Sequence, residues 1–530
     1  MLQVQAKPQA EADKYIQSGV WNDDTMYSLL QKCVAQHPNK VAILGDGVEL
    51  TYIQWEAQAL RLAGQLQTLG VQRGDVVGVQ LPNSPEFFIS WLAIAALGAV
   101  IQTIHMPYRA AELSFLLEHS GASCFIGVAN TKGYSPVETA VSLQTTLPTL
   151  KHIIAVGAET ANTINFADAV THPPATDLPT CNGDDLLCLL YTSGTTGNPK
   201  GVPIKNKWFM GNAVAALHDW EFSHDERILC VASYSHLYGL WTLILTLYTG
   251  GMHIIMPAFS PPEFVRLVQQ YRPTGVFAVP AHIAALINLG LWDNLDAASI
   301  RFMVQAGIIV PDHIAIAIDE KLINGKVLQL FGMSELQCGS YTRFSDSVAV
   351  RTTTSGQPPA GMALKIVDDE GVECAAGIEG RLLFKGSAVF TGYLNNDTAT
   401  AEAFTADGWF VSGDTARLTE AGHLQITGRF KDIINRGGIK YHPKEVEDLV
   451  MQMDSVANVA VVPYPDDVLG ERACIFIQPL GDTLPTLAQI TARLEEAGIA
   501  KFKWPERLEL VDEMPLTPTR KIIRSRLQFN

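Results

Sequence analysis

The sequence predicts an α/β protein: a large N-terminal domain of doubly wound sheets with a β-rich subdomain, followed by a small α+β domain. Three observations predict this. Short apolar runs alternate with helical patterns from position 41 onward, the order that builds parallel sheets covered by helices. At 530 residues the chain exceeds the ~250–300 at which one hydrophobic core stops growing, so at least two cores are expected. Glycine-punctuated strand signals cluster over positions 377–414, and the chain beyond position 430 is long enough for a domain of its own.

In chain order, positions 11–39 carry scattered apolar residues consistent with short helices. Val41-Ala42-Ile43-Leu44 reads as a strand, Gly45-Asp46-Gly47 as a turn and Leu50-Thr51-Tyr52 as a second short strand. From Tyr52 to Gln67, the residues Ala57, Leu60, Leu62, Ala63 and Leu66 recur at helical spacing, with Gly70 as the stop. Val76-Val77-Gly78-Val79-Gln80-Leu81 is a buried strand, after which Ser84 is expected to cap and Pro85 to open a buried helix. Alternation continues with a strand over 99–103, a helix over 110–117 and a strand over 124–128. Beyond position 200 come a helix over 205–217 and strands over 227–233, 251–256, 275–279 and 301–304, and Pro280-Ala281-His282 starts a helix. The run Val327-Leu328-Gln329-Leu330-Phe331 is a strand that breaks at Gly332. Pro443-Lys444-Glu445 opens a helix whose acidic residues lie near its positive end.

Composition narrows the function classes. With 47% hydrophobic and 17% charged residues the chain can pack its cores, which argues against disorder. The formal net charge of -16 comes without long blocks of one sign, which argues against nucleic-acid or anionic-membrane partners. Eight scattered cysteines form no C-x-x-C pair and no Cys/His cluster, so thiols in a reducing compartment are expected. The N-terminus lacks a signal-peptide layout, and the longest apolar run, 87–101, is shorter than the ~20 residues of a spanning helix. A cytoplasmic protein without a membrane span follows, and no repeat of ~20–50 residues points to a solenoid.

The functional centre of the sequence is Leu190-Tyr191-Thr192-Ser193-Gly194-Thr195-Thr196-Gly197-Asn198-Pro199-Lys200-Gly201. Its glycines let successive amides turn towards one anion, and Thr192, Ser193, Thr195 and Thr196 add hydroxyl donors, a composition suited to cradling phosphate. The spacing is not that of the P-loop, because Gly194 and Gly197 are too close together and Lys200 precedes a glycine. Taken by itself, such a stretch is more often a flexible surface loop.

This loop resembles the signature of the adenylate-forming superfamily, which includes acyl- and aryl-CoA ligases, aryl-acid adenylating enzymes and luciferases. Further motifs stand in that family's order along nearly the whole chain. The resemblance implies that Thr192, Ser193, Gly194, Thr195, Thr196, Gly197 and Lys200 hold the phosphates of ATP. Ser235-His236-Leu237-Tyr238-Gly239-Leu240-Trp241 is similar to the segment lining the carboxylate pocket, which implicates His236, Leu237, Gly239 and Trp241, with Gln305 and Gln337 contributing from distant positions. Ala306 and Gly307 stand at the turn expected against adenine. Phe331, Gly332, Met333 and Ser334 resemble the nucleotide-contacting motif, and Glu335 the magnesium ligand; one carboxylate suffices where phosphate oxygens and water complete the shell. Read alone, Ser334-Glu335 after a glycine is a helix cap.

Asp414 is placed by resemblance on the ribose, Arg429 on ribose or phosphate, Lys431 at a hinge and Lys521 at the final catalytic lysine, where Arg520 replaces the family's usual glycine. Gly437 and Gly438 fall where a thiol channel is lined. The implied domains are 1–430, holding the ATP and carboxylate sites, and 431–530, small and mobile. The implied reaction activates a carboxylic acid with ATP and Mg2+ and passes it to CoA. Leu237, where enzymes of 2-hydroxybenzoates carry an amide, argues for an apolar aryl or acyl acid. Loading of a separate phosphopantetheinyl carrier protein stays open, because Tyr341-Thr342-Arg343 and Leu469-Gly470-Glu471-Arg472 resemble aryl-acid adenylating enzymes. A non-catalytic nucleotide-binding protein is the reading of a different class, and a homodimer is compatible with the sequence.

Overall fold

The structure, a computed structural model, describes the chain except for residues 1, 3, 46, 193–198, 437, 438, 467, 468, 482, 518–520 and 530. It divides into two compact units, Met1–Ala363 with Lys385–Gly408, and Leu364–Phe384 with Trp409–Asn530.

The first unit contains two large sheets. One runs, in spatial order, Ile164–Asn165, His152–Val156, Cys124–Val128, Val76–Gln80, Val100–Thr103, Leu186–Thr192 and Lys200–Lys205. The other runs Gln337–Tyr341, Lys326–Met333, Phe302–Gln305, Gly275–Ala278, Arg227–Cys230, Met252–Ile254, Val41–Gly45 and Val48–Thr51. Interior neighbours pair parallel, while Lys200–Lys205, Gln337–Tyr341 and Val48–Thr51 close the edges as antiparallel hairpins. Parallel strands lie under helices on both faces, and accordingly every residue of Val76–Gln80 is buried. The helix Pro85–Ala96 is buried all round, with Phe87, Phe88, Trp91, Leu92 and Ile94 fully enclosed. Each such side chain contributes about 1.5–3 kcal/mol relative to exposure, which is why this helix lacks the polar stripe of a surface helix.

Local chemistry departs from the sequence expectation at three places. Thr51 ends its strand and caps the helix Tyr52–Thr68: its Oγ1 accepts from Gln54 N and Gln54 Oε1 accepts from its N–H, so Tyr52 is the first helical residue and not strand. Ser84 stands at the cap position, but its hydroxyl makes no cap bond; the Ser84 carbonyl accepts from Phe87 N at 3.1 Å. The strand Lys326–Met333 does not break at Gly332. A Cβ there would stand 2.1 Å from the Gln337 carbonyl oxygen, so glycine is what allows the two strands to approach.

The second unit contains a sheet ordered Met362–Val367, Gly380–Gly386, Phe410–Leu418 and Leu424–Arg429, and another of Ile439–Tyr441, Ile434–Arg436, Gly470–Pro479 and Val456–Asp466, with Arg507–Leu510 parallel on Gly470–Pro479. Helices Lys444–Val450 and Leu487–Glu496 pack on the latter through Val446, Val450, Ile490 and Leu494. Glu445 and Glu447 lie in the first turn of Lys444–Val450, as expected of a helix N-terminus. Among the described residues no helix is long and apolar enough to cross a membrane.

Candidate functional site

In the first unit, Thr192 ends one strand and pairs with Lys200 at the start of the next, so the ends of the phosphate-loop stretch lie side by side. Ser193, Gly194, Thr195, Thr196 and Gly197 lie outside the described residues. The Lys200 ammonium sits over the Tyr393 ring, 4.7 Å from its centroid, and the Tyr393 hydroxyl donates to Glu335 Oε1 at 2.9 Å. Phe390 N–H donates to the Glu335 carbonyl at 2.7 Å. Burial, and after it the neighbouring carboxylate of Glu335, push the Tyr393 phenol well above its ordinary value, so it stays a donor.

Glu335 and Ser334 stand in the connection between strands Lys326–Met333 and Gln337–Tyr341, where Met333 pairs with Gln337 and Phe331 with Ser340. Both are buried, as is Gln337, which takes the left-handed φ of 59° and donates through Nε2 to the Ala388 carbonyl. Among the described residues no group of three or more His, Cys, Asp or Glu could hold a metal ion. A magnesium ion held largely by phosphate oxygens and water needs only one carboxylate, and Glu335 fits that demand.

His236 caps the helix Leu237–Thr249, its Nδ1 accepting from Tyr238 N at 3.5 Å. Gly239 is dictated by crowding, since a Cβ would stand 2.4 Å from the Ser233 carbonyl oxygen. Leu237 and Trp241 are buried, Trp241 edge-on to Trp220 with centroids 5.5 Å apart. The Tyr238 hydroxyl donates to the Val304 carbonyl at 2.9 Å, which ties this helix to the strand leading into Gln305, Ala306 and Gly307. Gly307 has φ 89°, a left-handed turn suited to glycine. Both amide atoms of fully buried Gln305 lack a hydrogen-bond partner among the described residues.

In the second unit, Asp414 and Arg429 are directly opposed on neighbouring antiparallel strands, and Arg429 Nε lies 3.1 Å from Asp414 Oδ1. Asp414 is only 5% exposed. Burial raises its carboxyl above the ordinary aspartate value, against the opposing pull of Arg429 and Lys521. Its Oδ2 is buried without a partner among the described residues, an acceptor that a ribose hydroxyl would satisfy. Lys521 is held by its main chain: Thr517 N–H donates to its carbonyl at 2.7 Å, and its own N–H donates to Thr517 Oγ1 at 3.0 Å. Lys431 is exposed in the short 3-10 turn Phe430–Asp432, whose Asp432 pairs with Arg524 at 3.2 Å. Gly437 and Gly438 lie outside the described residues.

Residues 30–394 match the sequence model of the AMP-binding enzymes, and residues 445–521 that of the AMP-binding enzyme C-terminal domain. The chain belongs to the AMP-binding enzyme family. It is 30% identical over 525 residues to the 2,3-dihydroxybenzoate-AMP ligase of Bacillus subtilis (strain 168), covering 98% of this chain and 96% of that protein. It is 29% identical over 515 residues to the medium-chain fatty-acid–CoA ligase of Escherichia coli (strain K12), covering 96% and 90%. The crystal structure of the anthranilate CoA ligase AuaEII in complex with anthranoyl-AMP superposes with a TM-score of 0.86 at 26% identity, over 95% of this chain and 96% of that one. This AMP-binding enzyme is accordingly an AMP-forming, adenylating acid ligase with the fold of those relatives, as the motif resemblance implied.

Tyr393 is the site residue that the sequence reading passed over. A Gly392-Tyr393 pair in a turn-rich stretch carries no local mark of chemistry, and its partner Glu335 is remote in sequence.

Proposed function

We propose that this enzyme activates an aryl or acyl acid of apolar body as its adenylate and then transfers the acyl group to the thiol of CoA. The observation that supports the first step is the chain of contacts from Lys200, which pairs with Thr192, through Tyr393 to the Glu335 carboxylate. A carboxylate oxygen attacks the α-phosphorus of ATP, the bond to the β-phosphate breaks, and pyrophosphate leaves. Such a displacement is accelerated by alignment and by neutralising phosphate charge. In this reading Thr192 to Lys200 hold the leaving phosphates, Glu335 holds magnesium, Phe331 and Ser334 face adenine and α-phosphate, and Asp414 with Arg429 holds ribose. His236, Leu237, Gly239, Trp241 and Gln337 line the acid pocket, and Lys521 bridges carboxylate and phosphate.

In the second step the thiol sulfur attacks the acyl carbon, the bond from that carbon to the bridging oxygen breaks, AMP departs carrying that oxygen, and the thiol proton passes to water. We place a hinge at Lys431, dividing 1–430 from 431–530, with Gly437 and Gly438 lining the thiol's approach. Lys431→Pro fixes φ at the hinge; it is expected to leave pyrophosphate exchange within about threefold and to lower thioester formation by about 10²-fold. Equal loss in both assays would count against the hinge.

Support for CoA comes from Leu237, which supplies no amide for a substrate hydroxyl, and from the likeness to CoA ligases. The likeness to an AMP ligase favours a carrier protein as the second reading. The eight scattered cysteines without a C-x-x-C pair support our reading of a cytoplasmic enzyme.

The deciding measurement is ATP consumption over octanoate, benzoate, 2-aminobenzoate and 2,3-dihydroxybenzoate, each with and without CoA. AMP release that requires both acid and CoA, with an acyl-CoA product, is the expected result. Acid-dependent pyrophosphate exchange with no CoA product would transfer the assignment to a carrier-protein acceptor.

A further inference from the structure

The segment carrying His236 follows the strand Arg227–Cys230 of one large sheet, yet it is gripped from the carboxyl ends of strands in the other. Asn83, just beyond Val76–Gln80, donates through Nδ2 to the Ala232 carbonyl at 3.0 Å and accepts from Tyr234 N at 2.8 Å. Thr103 Oγ1 donates to the Ser235 carbonyl at 2.7 Å. His105, just past Val100–Thr103, makes the third grip: a hydrogen bond of 2.8 Å joins its Nδ1 to Ser235 Oγ, which shares another with Ser233 Oγ at 2.7 Å. Its ring also stacks on that of His236, with centroids 5.9 Å apart and planes 24° from parallel. Behind it, buried Gln80 donates to the His105 carbonyl at 2.9 Å, so the main chain at this point is itself held.

Another histidine of this unit shows what a purely structural imidazole looks like here. His253 is fully enclosed, and both its ring nitrogens are engaged, by the Tyr234 hydroxyl and by the Thr246 hydroxyl. His105 differs on both counts: it is not fully enclosed, and among the described residues its hydrogen bond to a side chain is through Nδ1. Burial of the ring depresses its pKa to about 4, so at neutral pH the ring presented to His236 carries no charge.

We propose that His105 is a positioning residue for the acid: it fixes the ring plane of His236 and thereby the orientation in which the carboxylic acid meets ATP. The inference rests on the reading of His236 as a wall of the carboxylate pocket. A histidine at a helix cap is anchored from its own main chain but can rotate its ring. The neutral partner stacked on it restricts that rotation without adding a second charge beside an anionic substrate.

The test uses the full chain and whichever of octanoate, benzoate or 2-aminobenzoate gives the fastest acid-dependent pyrophosphate exchange. His105→Ala is expected to raise the acid KM about tenfold, with kcat falling less and the ATP KM staying within about twofold. His105→Phe, which keeps a ring and loses Nδ1, is expected to fall between, and it decides the matter if His105→Ala does not fold. In a His236→Ala background, His105→Ala should add nothing further, because the two act through one interaction. An unchanged acid KM, a joint rise in acid and ATP KM, or additive effects would each overturn the proposal. Wild-type acid KM in His236→Ala alone would instead overturn the pocket assignment on which it rests.

Discussion

Lys521→Ala is expected to lower acid-dependent ATP–pyrophosphate exchange by about 10²–10³-fold, the usual cost of removing a donor aimed at charge developing in a transition state. The ammonium acts on the Asp414 carboxylate, whose Oδ2 lacks a partner among the described residues, so in the proposed reading it belongs to the nucleotide-handling face of its own unit. The fold should tolerate the change. Lys521 is tied to Thr517 through its own carbonyl and N–H, and an alanine keeps both. Unchanged thermal unfolding with lost exchange is the expected pair of results, and normal exchange in this variant would remove Lys521 from the mechanism.

Glu335→Gln should have the next largest effect, about 10²-fold in exchange, together with a demand for more magnesium to reach half-maximal rate. An amide keeps the shape and can still accept from the Tyr393 hydroxyl, and the Phe390 N–H bond goes to the Glu335 carbonyl, so the hairpin is preserved. What the substitution removes is the negative charge. A wild-type magnesium titration in this variant would show that the metal is held elsewhere.

How much of the site could be read beforehand depended on where each residue's partners lie. The stretch from Thr192 to Lys200 draws notice by composition, because glycines and hydroxyls adjacent in sequence can surround one anion, but its assignment to phosphate came from the family resemblance. Glu335 and Asp414 are single carboxylates in turn-rich sequence, and only their order relative to the loop, a family pattern, singled them out. Tyr393, Asn83 and His105 carry no such mark, since their partners are Glu335, Tyr234 and Ser235, brought near by sheet packing alone. The alternation of strands and helices was legible for the same reason as the loop: each element's period is local. Tyr52 was misread as strand because the strand's last residue, Thr51, is also the helix cap, and Gly332 was misread because a glycine that admits a neighbouring carbonyl looks in sequence like one that interrupts a strand.

The placement of the hairpin Val41–Thr51 bears on how the chain is assembled during synthesis. Val41–Gly45 pairs parallel with Met252–Ile254, whose other neighbour is Arg227–Cys230, so some 200 residues must follow it from the ribosome before its open edge is covered. The other large sheet draws its strands from Val76 to Lys205 and can close first. In the interval the apolar Ala42 and Ile43, both buried in the finished protein, present an unpaired edge of the kind that recruits chaperones or aggregates. A truncation ending after Lys205 would carry that exposed edge permanently, which makes the N-terminal half a poor candidate for expression by itself.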